Sequence, residues 1–307
     1  MDRASIPSTV GLSALTQANV GEARSRGLDL SFDYTHTFSR DLSVIARGSL
    51  TYARGEYVKY EEPVYAERYK SHVGQSITQT WGYIAERLFI DDKDLLNSPH
   101  QNFGLYQAGD IKYRDINGDG KITELDMVPL GNPTTPEITY GFGTSIQYKN
   151  FDLSVFFQGL ARESFWINTS ATAPFVNYDD PYTPINNGFV GENALLKAYA
   201  NSHWSEENQN IYAIWPRLSV TPVNNNTQTS TWFMRDGSFL RMKSAELGFT
   251  VPAKVLERYK IGGLRIYISG LNLLTFSPFK LWDPEMGGNG LAYPIQKVVN
   301  AGITLNF

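Results

Sequence analysis

Six residues between positions 115 and 126 have the types and the spacing of a calcium-binding loop. The segment reads D-I-N-G-D-G-K-I-T-E-L-D, and its candidate ligands are Asp115, Asn117, Asp119, Lys121 through its backbone carbonyl, Thr123 and Asp126. They fall at positions 1, 3, 5, 7, 9 and 12 of an EF-hand-type loop, with Gly120 at the sharp turn of position 6. Because calcium prefers oxygen ligands that close on one point, the spacing predicts a calcium site.

The same segment departs from an EF-hand in two respects. Asp126 stands where a longer Glu is usual, which predicts weak affinity of the grade found in extracellular modules. Neither flank has the pattern of a helix. A hydrogen-bonded, Asx-rich turn without metal explains the same residues, so both interpretations stay open. If calcium binds, it replaces the flexibility of a long loop with fixed ligands.

Aromatic residues are concentrated in the irregular segments, where flat rings could stack on sugar faces beside Asn and Asp side chains. The candidates for contacts with a ligand or a covering protein are Trp81, Trp166, Trp204, Trp215 and Trp282, with Tyr83, Tyr178, Tyr182, Tyr212 and Trp232 beside them. The alternative is that these rings pack the loops against each other. The sequence does not decide between the two.

Composition excludes several classes of function. A formal net charge of −4 over 307 residues argues against a nucleic-acid-binding surface, and the absence of cysteine excludes disulfides and thiolate metal sites. The four histidines are scattered without metal-ligand spacing, and no G-x-S-x-G motif occurs, so the sequence does not indicate an enzyme. The sequence contains no run of eighteen apolar residues, so it does not predict a transmembrane helix.

Seven segments alternate apolar and polar residues with the two-residue period of a β-strand. They are predicted over 28–38, 42–52, 138–148, 151–158, 239–251, 264–275 and 295–307. A further strand is predicted within 77–90, a helical turn near Val255, and loop over 1–27. The fold class is therefore all-β and antiparallel.

Short turns and long connections alternate between these strands, and most strands are about ten residues long, enough to cross a bilayer at a tilt. Five aromatic residues lie at the short-turn ends, where an interfacial girdle is expected: Phe38, Tyr148, Phe151, Phe249 and Phe307. These features predict a segment of a transmembrane β-barrel with long extracellular loops. In a soluble β-domain the same apolar residues would pack against a second sheet.

Seven crossings are an odd number, whereas single-chain bacterial barrels have an even number of strands. Seven strands also leave two unpaired edges, which lipid cannot satisfy. We therefore expect residues 1–307 to be the C-terminal portion of a longer barrel, with the calcium-type loop 115–126 inside an extracellular loop.

Several motifs resemble the SusC/RagA family of TonB-dependent outer-membrane transporters. They are D-I-N-G-D-G-K-I-T-E-L-D at 115–126, P-L-G-N-P-T-T-P-E-I-T-Y-G-F at 129–142, D-G-S-F-L-R-M-K-S-A-E-L-G-F-T-V-P at 236–252, G-L-N-L-L-T-F at 270–276, D-P-E at 283–285 and the final G-I-T-L-N-F. The resemblance extends over nearly the whole chain, and it implies about seven strands of a larger, plugged barrel. Residues 1–307 contain no segment that resembles the plug domain or the TonB box of the family.

The resemblance implies a location in the outer membrane of a Gram-negative, Bacteroidetes-like cell. It also implies import of oligosaccharides or peptides, a SusD-like surface lipoprotein acting as a lid, contact with outer-membrane lipid, and coupling to the TonB complex through the plug region. No nucleic-acid partner is expected. The alternative function is a secreted or surface β-domain that binds calcium and glycan without transport.

Overall fold

The computed structural model describes residues 19–175 and 193–307, and it contains one large antiparallel sheet with long connections on one side. The strands of this sheet are β1 (Glu22–Ser39), β2 (Leu42–Lys59), β9 (Ile138–Tyr148), β10 (Phe151–Ala161), β13 (Phe239–Thr250), β14 (Gly263–Phe276) and β15 (Val298–Asn306). The seven strands pair in this order, and every pair is antiparallel. The predicted fold class is confirmed.

Tight turns join the strands at one end of the sheet. Residues 40–41 connect β1 to β2, and Lys149 and Asn150 connect β9 to β10. Lys149 adopts a left-handed φ of 52° at this turn. The predicted helical turn near Val255 is present as α4 (Ala253–Leu256), between β13 and β14.

The large sheet has one apolar face that continues across all seven strands. The register places Leu30 opposite Leu50, and Leu50 in turn opposite Tyr140. On the other side of the sheet, Leu153 is opposite Leu247, which is opposite Ile268. Directly paired residues point to the same side of a sheet, so these apolar residues form a single surface. The opposite face carries mainly polar residues and glycine, with Ile45 and Phe156 among them.

The apolar face is exposed in this chain. Leu28, Phe32, Phe151, Ile268 and Ile303 each have between 50% and 70% of their surface accessible. The predicted aromatic girdle residues lie at the short-turn end, where Tyr148 pairs with Phe151 and Phe151 with Phe249. Apolar sheet faces of this extent are covered by lipid or by protein.

The height of the apolar face matches a membrane. In β1 it runs from Leu28 to Phe38, in β2 from Leu42 to Tyr52, and in β9 from Ile138 to Tyr148. Ten residues rise about 33 Å along a strand. At a tilt of about 40° this spans about 25 Å, the height of the apolar band of outer-membrane barrels. No helix in the part of the chain that the structure describes is long and apolar enough to span a membrane.

Two predictions about secondary structure are wrong in detail. The segment 77–90 is not one strand but two short ones, β3 (Thr80–Gly82) and β4 (Ala85–Leu88), which pair with different partners. β1 begins at Glu22, so the predicted loop over 1–27 is too long; residues 1–18 lie outside the described residues. Residues 22–27 are charged or small and lack the apolar–polar alternation by which strands are predicted, although β1 extends past the apolar band.

The connections form a second layer, which we call the loop layer and define as residues 60–137, 162–175, 193–238 and 277–297. Its strands are β5 (His100–Gln101), β6 (Ile111–Tyr113), β7 (Lys121–Ile122), β8 (Val128–Leu130), β11 (Ser164–Trp166) and β12 (Met234–Asp236), in addition to β3 and β4. They form four two-stranded sheets. Its helices are α1 (Asp92–Leu96), α2 (Thr169–Thr172) and α3 (Lys197–Asn201).

Candidate functional site

The loop 115–126 closes on hydrogen bonds to its own backbone. The Asp115 carboxylate accepts from the backbone N–H of Gly118 at 2.7 Å and of Gly120 at 2.8 Å. Both glycines have a left-handed φ, 76° and 79°, which a residue with a Cβ adopts only at a cost. Asp119 accepts from the Lys121 backbone N–H at 2.8 Å and from the Asn117 side-chain amide at 3.1 Å.

Asp126 closes the other end of this loop from inside the protein. It is fully buried, and its two carboxylate oxygens accept from the backbone N–H groups of Ile116 and Thr123, each at 2.8 Å. The Thr123 hydroxyl accepts from the backbone N–H of Leu125 and caps the short helical turn that follows. Buried carboxylates require such partners, so Asp126 has a structural role in this loop.

The geometry of this segment is compatible with both interpretations, because a carboxylate oxygen that accepts one hydrogen bond keeps a second lone pair. All the carboxylate oxygens of Asp115, Asp119 and Asp126 already accept a hydrogen bond. Across residues 19–175 and 193–307 no three His, Asp or Glu side chains come together as a metal-binding group. The donor types suit calcium, but the carboxylates do not converge. Calcium binding stays a prediction.

Both flanks of the loop are attached to other parts of the loop layer. The Tyr69 hydroxyl donates to the Leu125 carbonyl at 3.0 Å, and the Lys70 ammonium donates to the Glu124 carbonyl. The backbone N–H of His100 donates to the Gly120 carbonyl at 3.1 Å. The segment is therefore held in a fixed position by its protein contacts.

Trp204 and Trp215, two of the five predicted contact residues, lie in the interior of the loop layer. Trp204 packs so closely over Gly109 that a Cβ there would lie 2.3 Å from the indole ring. Trp215 stacks on Tyr199 with ring centroids 4.5 Å apart. Only 6% and 7% of the two tryptophans is accessible, and their contacts in the structure are those of loop packing, the alternative. Ligand or lid contact by either one stays a prediction.

The other three predicted tryptophans are half-buried and anchored. The Trp166 indole N–H donates to the Ser230 carbonyl at 2.9 Å, and that of Trp282 donates to the Gly287 carbonyl at 2.7 Å. Trp81 lies 4.6 Å from the His72 ring. Ligand or lid contact by these three stays a prediction. Tyr178 and Tyr182 lie outside the described residues.

A buried polar network joins two long connections that are more than a hundred residues apart in sequence. Asp110 accepts from the Asn226 amide at 2.7 Å and pairs with Arg217 at 2.8 Å. The Tyr113 hydroxyl donates to the Asn225 carbonyl at 2.7 Å. Burial raises the pKa of Asp110, and Arg217 and Asn226 oppose that effect. Polar groups satisfied in this way fix one arrangement of the loops.

Arg241 forms a second buried link, between the large sheet and the connection that follows β14. Its guanidinium contacts both carboxylate oxygens of Asp283 at 2.5 and 2.7 Å and lies 2.7 Å from Glu285. Arg241 is 1% accessible and belongs to the polar face, since it pairs with Gln158 and Thr275. The D-P-E motif is therefore held over the polar face of the sheet.

Sequence reasoning did not assign these two links. The signal for the second was present, because D-G-S-F-L-R ends in Arg241 and D-P-E contains both of its partners. The signal for the first was the run N-N-N at 224–226, whose partners are distant in sequence and have no motif of their own. Pairing of this kind follows from the tertiary fold.

A cleft of about 460 Å³ lies beside the loop 115–126. Aromatic rings of Tyr83 and Phe103, the amides of Asn102 and Gln228, and the carboxylate of Glu124 line it. Burial raises the pKa of Tyr83 to about 12, with smaller contributions from Glu124 and Asp126, so the hydroxyl stays protonated at neutral pH. Rings with amide and hydroxyl groups suit an uncharged, hydrogen-bonding ligand.

Comparison with known proteins gives consistent relatives, although no family model matches the chain. TonB-dependent receptor P26 of Formosa agariphila is 28% identical over 221 residues, which covers 65% of this chain and 20% of that protein. TonB-dependent receptor P3 of the same organism is 25% identical over 91% of this chain and 27% of its own length. TonB-dependent receptor SusC of Bacteroides thetaiotaomicron is 23% identical over 98% of this chain and 28% of its own length.

Solved structures show the same fold. The RagAB peptide transporter matches with a TM-score of 0.65 at 22% identity, over 98% of this chain and 31% of that chain. The RagAB peptide importer in its closed-closed state matches with a TM-score of 0.64 at 24% identity and the same coverage. The chain is a SusC/RagA-like TonB-dependent receptor sequence.

This SusC/RagA-like chain matches a portion of a larger protein. It spans between 20% and 31% of the length of the relatives and solved structures that it matches. Its seven-stranded sheet is part of a TonB-dependent receptor barrel of the outer membrane, and the barrel is not closed by the strands of this chain. The matched proteins are receptors and transporters, in agreement with a chain that is not an enzyme.

Proposed function

We propose that this chain forms part of the wall and the external loops of a TonB-dependent importer of the SusC/RagA type. The observation that carries the proposal is the exposed apolar face, which continues across seven strands and is about 25 Å high. A surface of that height and continuity is suited to the hydrocarbon of a bilayer. The polar face then lines the lumen through which a substrate passes.

The substrate class that we propose is an oligopeptide or an oligosaccharide. The cleft beside the loop 115–126 supports either one, because it combines the rings of Tyr83 and Phe103 with the amides of Asn102 and Gln228. The solved structures with the same fold are those of the RagAB peptide transporter and importer, which supports the peptide. Sugar hydroxyls would use the same donors and acceptors.

The partners that we propose are a SusD-like lipoprotein over the loop layer and the TonB complex, which would act on a plug region outside these residues. The loop layer suits a docking surface because its interior is ordered by Asp110 and Asn226 and does not need the partner to fold it. The solved structures with the same fold are of RagAB, which supports a partner of this kind.

The test is uptake by cells that carry or lack the gene for the full-length receptor. Fluorescent oligopeptides and oligosaccharides of matched length are supplied separately, with and without an uncoupler that removes the proton gradient. We expect the deletion and the uncoupler to abolish uptake of one class, and the plasmid-borne gene to restore it. Equal uptake of both classes by all strains would refute the importer.

The alternative, a secreted or surface calcium-binding β-domain without transport, requires a cover for the apolar face. Among residues 19–175 and 193–307 the strands of the large sheet form one layer, and no second sheet packs on its apolar face. Extraction of the full-length protein decides between the two. A folded monomer that stays in solution without detergent would support the alternative.

A further inference from the structure

The outward face of β1 and β2 changes from apolar to basic where the apolar band ends. Leu28 pairs with Tyr52 at the edge of the band, and the next two positions on the same face pair Arg26 with Arg54 and Arg24 with Glu56. The register has no bulge between Arg24 and Leu28, so the three arginines share the face that carries the apolar residues.

One of the three guanidinium groups pairs with a carboxylate on the same face. Arg24 donates to Glu56, the residue opposite it, and Arg26 and Arg54 are paired at the neighbouring position of that face. The side chains of Arg24 and Arg54 remain 47% and 42% accessible. We call Arg24, Arg26 and Arg54 the arginine cluster.

The neighbouring charges do not neutralise this cluster. Arg54 lies 3.7 Å from Glu137, but the closer partner of Glu137 is Arg162 at 2.6 Å. Glu137 is 4% accessible and is shared between these two arginines. Counting Arg162 with its partner, the group has four arginines and two glutamates, a net charge of +2.

The other face of the same strands is covered by protein. A Cβ on Gly55 would lie 3.0 Å from the Ile77 side chain, and the Ile77 backbone N–H donates to the Gly55 carbonyl. The loop layer thus packs on the lumen side of β2 at this level, whereas the arginine cluster points away from it.

The level of the arginine cluster corresponds to lipid headgroups. Arg26 and Arg24 lie two and four residues beyond Leu28. These separations are about 7 and 13 Å along a strand, or about 5 and 10 Å in height at the tilt of a barrel. The headgroup region extends about 5–8 Å beyond the hydrocarbon on each side, so Arg26 and Arg54 lie within it and Arg24 lies just beyond it.

We propose that Arg24, Arg26 and Arg54 form a binding site for an anionic, phosphate-bearing lipid headgroup in the leaflet on the long-loop side. Guanidinium groups bind phosphate oxygens through paired N–H bonds, and their aliphatic stems can lie along the apolar band. The site rests on the membrane location in the proposed function and is independent of the substrate.

The experiment uses the full-length receptor in nanodiscs that contain phosphatidylglycerol and phosphatidylcholine. The lipid that stays bound after transfer to mild detergent is identified and counted by native mass spectrometry. The test variant is R24Q with R26Q and R54Q. The matched control is R47Q, which removes an arginine from the polar face of β2, where Arg47 faces Asp33 at 3.3 Å.

We expect the wild type and R47Q to retain phosphatidylglycerol in preference to phosphatidylcholine. The triple variant should lose this preference, with affinity falling about fivefold for each arginine removed. Replacement of the three arginines by lysine should retain part of it, since the charge stays but the paired bonds are lost. Inorganic phosphate at the same phosphate concentration should not displace the lipid.

Unchanged phosphatidylglycerol retention in a folded triple variant would overturn the lipid site. Displacement by inorganic phosphate would overturn it in favour of a simple anion site. Failure of the wild-type receptor to enter nanodiscs at all would instead refute the membrane location, so the two failures are distinguishable. If the glutamine variant does not fold, loss of preference in single R26Q, which breaks no ion pair with Glu56, provides the same test.

Discussion

The large sheet and the loop layer direct their apolar side chains in opposite ways. In the sheet, Phe32 and Ile268 point outward, and 58% and 50% of their surfaces are accessible. In the loop layer, Leu88, Ile111 and Tyr199 point inward and are fully buried. The hydrophobic core of this chain therefore lies in its connections, while its regular strands present their apolar face to the surroundings.

The difference indicates that the two regions are suited to different surroundings, hydrocarbon for the outer face of the sheet and water for the loop layer. Outward apolar residues lower the free energy of a sheet only when hydrocarbon covers them. The loop layer meets water, so it needs a core and a satisfied polar network of its own. Four experiments test whether the two regions are stabilised separately.

The largest expected effect is in the core of the loop layer. Trp215→Ala should destabilise this layer by about 3–5 kcal/mol, because it leaves a cavity against Tyr199 and Phe233. Hydrogen exchange of the full-length receptor should accelerate in the loop layer and stay unchanged in the strands. Tyr212→Ala, at an exposed loop position, is the matched control and should change little. Equal acceleration in the strands would contradict separate stabilisation of the two regions.

A charge on the outward face of the sheet should have the next largest effect. Ile268→Arg places a guanidinium near the middle of the apolar band and should cost about 2–4 kcal/mol of folding free energy in lipid. Ser269→Arg introduces the same side chain on the polar face, opposite Glu246, and should be tolerated. Urea unfolding of the full-length receptor in vesicles measures both. Similar losses from the two variants would show that the faces are wrongly assigned.

An ionic contact of the loop layer should make part of it sensitive to acid. The Arg87 side chain, with Lys112 and the Ile90 backbone N–H, holds the pKa of Asp94 well below its ordinary value. This stabilisation is present above the ordinary pKa of about 3.9 and is lost as the pH falls below it. Asp94→Asn should cost about 1.5–3 kcal/mol at neutral pH.

Hydrogen exchange of residues 90–98 measures this effect at neutral pH and at about pH 3, below the ordinary Asp pKa. The wild type should lose protection in acid, and Asp94→Asn should show reduced protection at both values. Asp92→Asn, at an exposed carboxylate of the same helix, is the control. Equal hydrogen-exchange protection of residues 90–98 in the wild type and in Asp94→Asn at both pH values would refute the ionic role of Asp94.

The smallest expected effect concerns calcium in the loop 115–126. If calcium binds weakly, low millimolar calcium should stabilise the loop layer by about 1 kcal/mol and raise its melting temperature. Asp115→Ala with Asp119→Ala should remove that increase. A melting temperature of the parent protein that is unaffected by chelation would rule out the ion and leave the hydrogen-bonded turn.

The strands were predictable because their chemistry is local. Ile138–Tyr148 has the predicted bounds, and Leu42 and Phe151 begin their strands as predicted, since alternation and the tight turns fix both face and register. The segment 22–27 was missed because β1 continues beyond the apolar band, where arginine replaces leucine on the same face.

The loop layer could be predicted only in part. The hydrogen-bonded form of the loop 115–126 follows from Asx and glycine residues at short spacing, and it was one of the two interpretations. The burial of Trp204 and Trp215 could not be derived, because an aromatic residue in an irregular segment suits a core and a binding surface equally well.

The amino-acid sequence by itself determined the seven strands, their order of short and long connections, and the side of the sheet that is apolar. These properties depend on neighbours a few residues away. Only the tertiary structure decided that Asp110 contacts Asn226, that Arg241 binds Asp283, and that Arg24 pairs with Glu56 beside Arg26 and Arg54. Such contacts join distant segments, and their partners are chosen by the geometry of the folded chain.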